Sequence, residues 1–183
     1  MELLIFLWLA ILIAGSITAS MFYHKWGPFV EEEPPVKPPV RPKMPLSEQI
    51  VQEAERWLGK DASPLNLAPQ ELACAEAVSN VIHGVIPDFP QNIVGTDALA
   101  KILDSSPYFE RVIEYAPGTI IISPRTATTY GHCGVFLSGD RIASNNSTTG
   151  LFEDNYSYAN WIRVFKKGRG LHIYLWRARN NGK

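Results

Sequence analysis

The stretch from residue 116 to residue 145 reads APGTIIISPRTATTYGHCGVFLSGDRIASN and contains three short runs rich in apolar and β-branched residues. Pro-Gly, Ser-Gly-Asp and further glycine-containing turns separate the runs, which is the pattern of successive β-strands. Similar runs lie before and after this stretch. We therefore predict five strands: Phe109–Ile113, Thr119–Ser123, His132–Leu137, Arg141–Asn145 and Leu171–Arg177.

Amphipathic helices are predicted ahead of these strands. Ser47 is a suitable N-cap for a first helix, whose apolar residues lie on one stripe. Pro69 suits the first turn of a second helix and Gly84 suits its end, while Thr96 is a suitable N-cap for a third. Helices followed by a run of strands indicate an α+β fold, in which N-terminal helices pack on an antiparallel β-sheet.

The N-terminal residues predict a membrane anchor. Leu3–Tyr23 is an apolar run without a charge, and about 20 such residues in a helix cross the hydrocarbon core of a bilayer. Glu2 stands where a signal peptide usually has Lys or Arg, which favours an anchor over a cleaved signal. The small residues between Ala14 and Ser20 leave cleavage or release of this segment open. Residues 1–30 are thus interpreted as one transmembrane helix.

A proline-rich segment separates this anchor from the rest of the chain. Residues 31–45, EEEPPVKPPVRPKMP, contain six prolines, and proline both fixes φ and removes a backbone donor. We expect a stiff polyproline II spacer of roughly 45 Å, with a plain linker as the alternative. Residues 46–183 then form the single predicted globular domain.

Composition excludes several classes of function. The net charge of the 183-residue chain is -1, so the chain lacks the strong positive field that would attract nucleic acid. Two cysteines are too few for a disulfide scaffold or a structural zinc site, and the four histidines form no HExxH pattern. No metal and no other cofactor is therefore predicted.

Cys74 is the candidate nucleophile. It lies in ELACAEAVSNVI, residues 71–82, about a turn inside the predicted second helix. The positive end of the helix dipole and the unpaired N–H groups of a first helical turn favour the thiolate, which is the reactive form of cysteine. The alternative is a small, inert cysteine in the core.

His132 is the candidate base, at the start of a predicted strand. The preceding Gly131 allows another element to approach closely. A third group should orient the imidazole, and the end of the next strand offers Asn145, with Asn146 as the alternative and Ser144 behind them. These asparagines also suit a turn. Cys133 should point to the opposite face of the strand from His132 and belong to the core.

Four motifs in this order, CAEAVSNVI, APGTIIIS, GHCGVFL and RIASNNS, resemble the NlpC/P60 and CHAP groups of the papain-like superfamily. Members typically have a Cys that opens a helix, a Pro-Gly-Asp-like strand entry, a Gly-His-Val-Gly-like strand and a polar third residue one strand later. The resemblance covers residues 69–146. Thr119 replaces the Asp, Cys133 replaces the Val, and alanines flank Cys74 where many members have Asp-Cys-Ser.

The resemblance implies a membrane-anchored cysteine peptidase or amidase that cleaves an amide bond in peptidoglycan stem peptides or cross-bridges. Cys74 would attack the carbonyl, His132 would move the proton, and the Cys74 backbone N–H would help to bind the oxyanion. The peptidoglycan substrate would place the domain on the periplasmic or extracellular side, in a bacterial or phage protein. The small-residue half of the span is similar to signal-arrest-release segments of phage endolysins.

Two other interpretations stay open at this point. One is a non-catalytic papain-like module that binds the wall or takes part in assembly, which the missing Asp-Ser around Cys74 favours. The other is a thiol amidase or acyltransferase facing the cytoplasm, which Lys25 and the basic C-terminal residues favour slightly. The sequence gives neither the bond cleaved nor the oligomeric state.

Overall fold

Three helices lie at the start of the described chain, as the apolar spacing predicts. The computed structural model describes residues 44–179 except Asn66, Ala68, Gln70 and Glu71. We name the helices α1 (Leu46–Trp57), α2 (Cys74–Val85) and α3 (Thr96–Ser105).

The starts of these helices differ from the sequence-based expectations. α1 begins after Pro45 rather than after Ser47, and no side chain caps it. α2 begins at Cys74 itself, so Pro69 precedes the helix and the cysteine lies in its first turn instead of a turn further in. Thr96 does not cap α3, because its hydroxyl accepts a hydrogen bond from the backbone N–H of Arg125 at 2.9 Å.

Six strands form one sheet in the described part of the chain. They are β1 (Phe109–Val112), β2 (Ile120–Ser123), β3 (His132–Phe136), β4 (Arg141–Asn145), β5 (Phe152–Ser157) and β6 (Tyr174–Ala178). The strand order is β1-β6-β2-β3-β4-β5, and every neighbouring pair is antiparallel. The predicted α+β fold with an antiparallel sheet is confirmed.

Two regions were not expected from the sequence. β5 has the sequence FEDNYS, whose polar residues hide the alternation that marks a strand. After it come a short helix, α4 (Tyr158–Trp161), and a π-helix (Ile162–Gly168). The Ser157 hydroxyl caps α4 by accepting from the Asn160 N–H at 3.2 Å.

Each face of the sheet is covered by its own set of helices. On one face α1, α2 and α3 enclose a core that includes Cys74, Cys133 and Val135. On the other face α4 and the π-helix contribute Trp161 and Phe165 to a second, smaller core. β3 takes part in both cores because successive residues of a strand point to opposite faces.

Gly131 allows close packing at the start of β3, as the sequence predicts. A Cβ built at this position would overlap the carbonyl oxygen of Ser123 and the hydroxyl of Thr96, and it would lie 2.5 Å from the Arg125 nitrogen. Two of these atoms are backbone and cannot rotate away. No side chain therefore fits at residue 131.

The predicted anchor and most of the predicted spacer lie outside the described residues. By its internal contacts, the segment Lys43–Lys183 forms one compact unit. Among residues 44–179, with the four gaps given above, no helix combines the length and the apolar character needed to cross a bilayer. The boundaries of the three sequence segments stay a prediction.

Gly131→Ala should lower the free energy of unfolding by about 1–3 kcal/mol, because the added methyl group forces the backbone around residues 123 and 131 apart. Gly84→Ala is the matched control. It lies inside α2, where alanine favours helix, and its Cβ would meet only the side chain of Glu53, which can move although it is bonded to Trp57. Any loss of stability should therefore be much smaller than at residue 131. Urea unfolding of both variants checks this, and equal stability of the two would contradict it.

Candidate active site

Cys74 is the first residue of α2, at the end of the helix that faces the start of β3. Its side chain is buried, with 4% of the residue exposed. Its thiol donates a long hydrogen bond to the Leu72 carbonyl oxygen at 4.0 Å. The thiol is therefore at the positive end of the helix dipole, where a negative charge is stabilised.

Two neighbours lower the pKa of the Cys74 thiol well below its ordinary value. The largest cause is a hydrogen bond from the Cys133 thiol, and the charge and hydrogen bond of His132 add to it. Burial opposes them, since a thiolate loses hydration in the interior. The net effect favours the thiolate, so Cys74 has the electrostatic environment of a reactive cysteine.

Cys133 has the opposite character. It is fully buried, as expected for a core residue, and lies on the face of β3 that packs against α2. Burial raises the pKa of its thiol well above the ordinary value, and so does the neighbouring Cys74. Cys133 thus keeps its proton, and hydrogen bonding by its thiol is the largest cause of the low pKa of Cys74, a role that the sequence did not indicate.

His132 begins β3 and is half-buried in a box of aromatic rings. Its ring is stacked with Trp161 and Phe165 at centroid distances of 5.3 Å each, and Tyr156 meets it edge-on at 5.5 Å. Ring faces of this kind attract a cation. The box holds the imidazole plane in one orientation and tolerates its protonated form.

One nitrogen of this imidazole has a defined polar partner. His132 Nε2 lies 3.0 Å from the hydroxyl oxygen of Ser144, which is fully buried. The Ser144 hydroxyl in turn donates to Asn155 Oδ1 at 2.7 Å. The charge of His132 also acts on the Cys74 thiol, whose pKa it lowers. With Nε2 engaged by Ser144, Nδ1 is the ring atom left for the thiol.

The two predicted orienting residues lie close to this pair. Asn145 is buried and lines the same cleft as His132, and its role as orienter stays a prediction. The Asn146 side chain donates to Glu153 at 2.6 Å and accepts from the Thr148 N–H at 2.9 Å, which is turn chemistry. Ser144, ranked behind both asparagines, is the residue whose hydrogen bond to the ring is defined.

Strand geometry explains why Ser144 meets the ring. Val135 pairs with Ala143, and Phe136 pairs with Ile142. Residues 132, 134 and 136 share one face of β3, and residues 142 and 144 share the same face of β4. Gly134 lies between His132 and Phe136 on this face, and a side chain there would come within 3.2 Å of Ser144 Cβ.

A cleft of two adjoining parts gives access to the pair. One part, of about 290 Å³, is lined by polar groups including His132, Asn145, Asn155 and Arg169. The other, of about 120 Å³, contains Cys74 and is largely apolar. The two parts share three lining residues: Leu72, Tyr130 and Gly131.

No metal centre is evident in the part of the chain that the structure describes. Those residues contain no group of three or more His, Cys, Asp and Glu side chains placed to hold an ion.

Several residues around the site had a signal in the sequence that went unused. Trp161 and Phe165 are four residues apart, which places them on one helical face. Ser144 follows Ile142 at strand spacing, so it could have been placed on one face with it. Asn155 had no such signal, because its position depends on an irregularity in β5.

Cys133→Ala should raise the pKa of Cys74, so that its thiolate disappears at a higher pH as the solution is acidified. Cys133→Ser is the matched variant, because a hydroxyl still donates to the thiolate and the pKa should stay low. The rate of Cys74 alkylation by iodoacetamide, followed against pH with mass spectrometry to locate the label, measures this. An identical pH midpoint in the wild type and Cys133→Ala would contradict the donor role.

Of three comparisons with known proteins, only the one with solved structures finds a similarity. No family model matches the sequence, and no curated protein matches it. The chain is similar to a solved structure described as the type VI native effector–immunity complex Tae3-Tai3 from Ralstonia pickettii. The superposition has a TM-score of 0.46 and 17% sequence identity, and it covers 72% of this chain and 99% of the other. No conclusion about function follows from a likeness at this level.

Proposed function

We propose that this chain is a thiol-dependent amidase or peptidase that hydrolyses an amide bond in peptidoglycan stem peptides or cross-bridges. Cys74 is the nucleophile and His132 is the base in this proposal. The observation that carries it is the position of Cys74, at the start of α2 and at an open cleft, close enough to His132 at the start of β3 for the imidazole charge to lower the pKa of the thiol.

The geometry supports a two-step reaction. The Cys74 thiolate attacks the amide carbonyl carbon, and N–H groups of the first turn of α2, that of Cys74 included, stabilise the oxyanion. The protonated His132 gives its proton to the leaving amine as the C–N bond breaks, leaving a thioester on Cys74. His132 then takes a proton from water, which attacks the thioester and releases the acid and the thiol.

The choice of peptidoglycan rests on the sequence motifs and on the cleft. The Pro117-Gly118 strand entry and the Gly131-His132 strand start resemble NlpC/P60 and CHAP enzymes, which act on this polymer. Gly118 has φ +82°, and a Cβ there would overlap the Ser47 backbone, so the motif has a structural use as well. The polar part of the cleft suits a peptide rich in amide and carboxylate groups.

The membrane anchor belongs to this proposal. A span at residues 3–23 and a stiff spacer at residues 31–45 would hold the domain away from the bilayer, on the side where the wall lies.

A non-catalytic wall-binding module is the second candidate. Ala73 and Ala75 replace the Asp and Ser that many related enzymes have beside the nucleophile, and only 4% of Cys74 is exposed. Such a module would bind sacculi without releasing fragments from them.

Cys74→Ser and His132→Gln should each lower the release of muropeptides from purified sacculi by about a thousandfold or more, because each removes one half of the reacting pair. Thermal stability of Cys74→Ser should stay near that of the wild type. His172→Gln is the control, since His172 is exposed and its ring stacks on that of Tyr174, away from the proposed site. Binding to sacculi without any release by the wild type would favour the non-catalytic module.

Deletion of residues 1–30 should give a soluble and active protein, because the proline-rich segment separates the predicted span from the domain. Gel filtration, circular dichroism and the sacculus assay test this expectation. An unfolded product would show that the domain needs the N-terminal residues. A periplasm-specific reporter fused after Lys183 of the full-length chain tests the predicted topology, and an inactive reporter would contradict it.

A further inference from the structure

A chain of two hydrogen bonds runs from His132 to Ser144 and from Ser144 to Asn155 in β5. Neither Ser144 nor Asn155 takes part in the proposed reaction. We propose that Asn155 is a positioning residue that acts through Ser144 to keep the proton of neutral His132 on Nε2, leaving Nδ1 free to accept the proton of Cys74. This inference rests on the proposed function, in which His132 is the base.

The direction of the chain of hydrogen bonds follows from counting protons. A serine hydroxyl has one proton, and that of Ser144 is donated to Asn155 Oδ1 at 2.7 Å. The amide oxygen of Asn155 accepts and cannot donate. Ser144 Oγ is therefore an acceptor toward His132 Nε2, 3.0 Å away, and Nε2 must carry the proton. The lone pair of the neutral ring is then on Nδ1.

Burial makes this arrangement selective. Ser144 is fully buried, so water does not replace either of its partners. The opposite tautomer would place a lone pair on Nε2, facing a hydroxyl whose proton is already used. Leaving a buried donor or acceptor unsatisfied is unfavourable enough to select one tautomer.

A bulge in β5 brings Asn155 to this position. Ile142 pairs with Tyr156 and the next residue, Ala143, pairs with Asp154, so Asn155 is the extra residue without a partner on β4. In a regular strand Asn155 and Tyr156 would point to opposite faces of the sheet. Here Tyr156 contacts the His132 ring and Asn155 bonds Ser144. A bulge re-aims a side chain in this way and is often found beside an active site.

The groups that face His132 and could alter its charge are few among the described residues. One is Cys74, the pKa of whose thiol is lowered. Tyr156, whose pKa is raised by burial, stays neutral. Arg169 lies over the Phe165 ring at 4.9 Å and lines the cleft. Neither Ser144 nor Asn155 is charged, so the pair sets the position of the proton without adding a charge to the ring.

The direct test is the tautomer of His132 in the full-length chain labelled with ¹⁵N-histidine. The spectra are recorded in a Cys74→Ala background, at a pH above the range in which histidine titrates. The His132 resonances are assigned by their loss in His132→Gln. We expect a protonated Nε2 and an unprotonated Nδ1, and the same in Asn155→Asp, which keeps the acceptor. Asn155→Leu and Ser144→Ala should give a mixture or the reverse tautomer. Thr149→Ala, which removes another hydroxyl bond to β5, should change nothing.

The second readout needs no substrate. In chains that retain Cys74, Asn155→Leu should shift the pH midpoint of iodoacetamide alkylation upward by about one unit. At a fixed pH below the midpoint, this shift lowers the rate of alkylation about tenfold. Asn155→Asp should restore the low midpoint. A wild type protonated on Nδ1, or an Asn155→Leu chain with unchanged tautomer and midpoint, would overturn the inference. If Asn155→Leu does not fold, the wild-type and Asn155→Asp tautomers still decide it.

The outcomes separate this inference from the proposed function. If the wild type digests sacculi normally but His132 does not prefer the Nε2 tautomer, the role of Asn155 is contradicted and the proposed function is not. If the wild type has the expected tautomer but does not digest sacculi, the proposed function is contradicted and the role of Asn155 is not.

Discussion

His132 lies beside Cys74 because residue 131 has no side chain. At this point the end of β2, the start of α3 and the start of β3 meet, and the Ser123 carbonyl, the Thr96 hydroxyl and the Arg125 N–H occupy the space that a Cβ would need. The Thr96 hydroxyl already binds the Arg125 N–H. Any larger residue at 131 would push β3 away from these groups and would move the imidazole from the thiol by a comparable distance.

The same junction gives β3 its two roles. His132 and Cys133 are consecutive and belong to opposite faces of the sheet, one against the aromatic residues and the other against α2. Both nevertheless lower the pKa of Cys74, because the cysteine is the first residue of its helix and lies at the end of the strand. A nucleophile placed one turn deeper in α2, as the sequence indicated, would have met the middle of the strand instead.

The sequence predicted the parts of this site that depend on local pattern. The cysteine at a helix start, the histidine at a strand start and the glycine before it each follow from neighbouring residues. The orienting group depends on which face of β4 each residue takes, and that is fixed by pairing with β3, not by β4 alone. β5 was missed because FEDNYS lacks alternation, and a bulge at Asn155 further breaks the pattern.

Two neutral supports assist the acid–base chemistry of the proposed reaction: the Cys133 thiol and the Ser144–Asn155 pair. Cys133 keeps its proton because burial raises the pKa of its thiol, and its hydrogen bond is the largest cause of the low pKa of Cys74. The thiolate is therefore stabilised even when the imidazole is neutral. The Ser144–Asn155 pair adds no negative charge near the ring, so it stabilises the imidazolium less than a carboxylate would. The two supports therefore act on different partners: Cys133 acts on the thiolate, and the Ser144–Asn155 pair acts on the position of the ring proton.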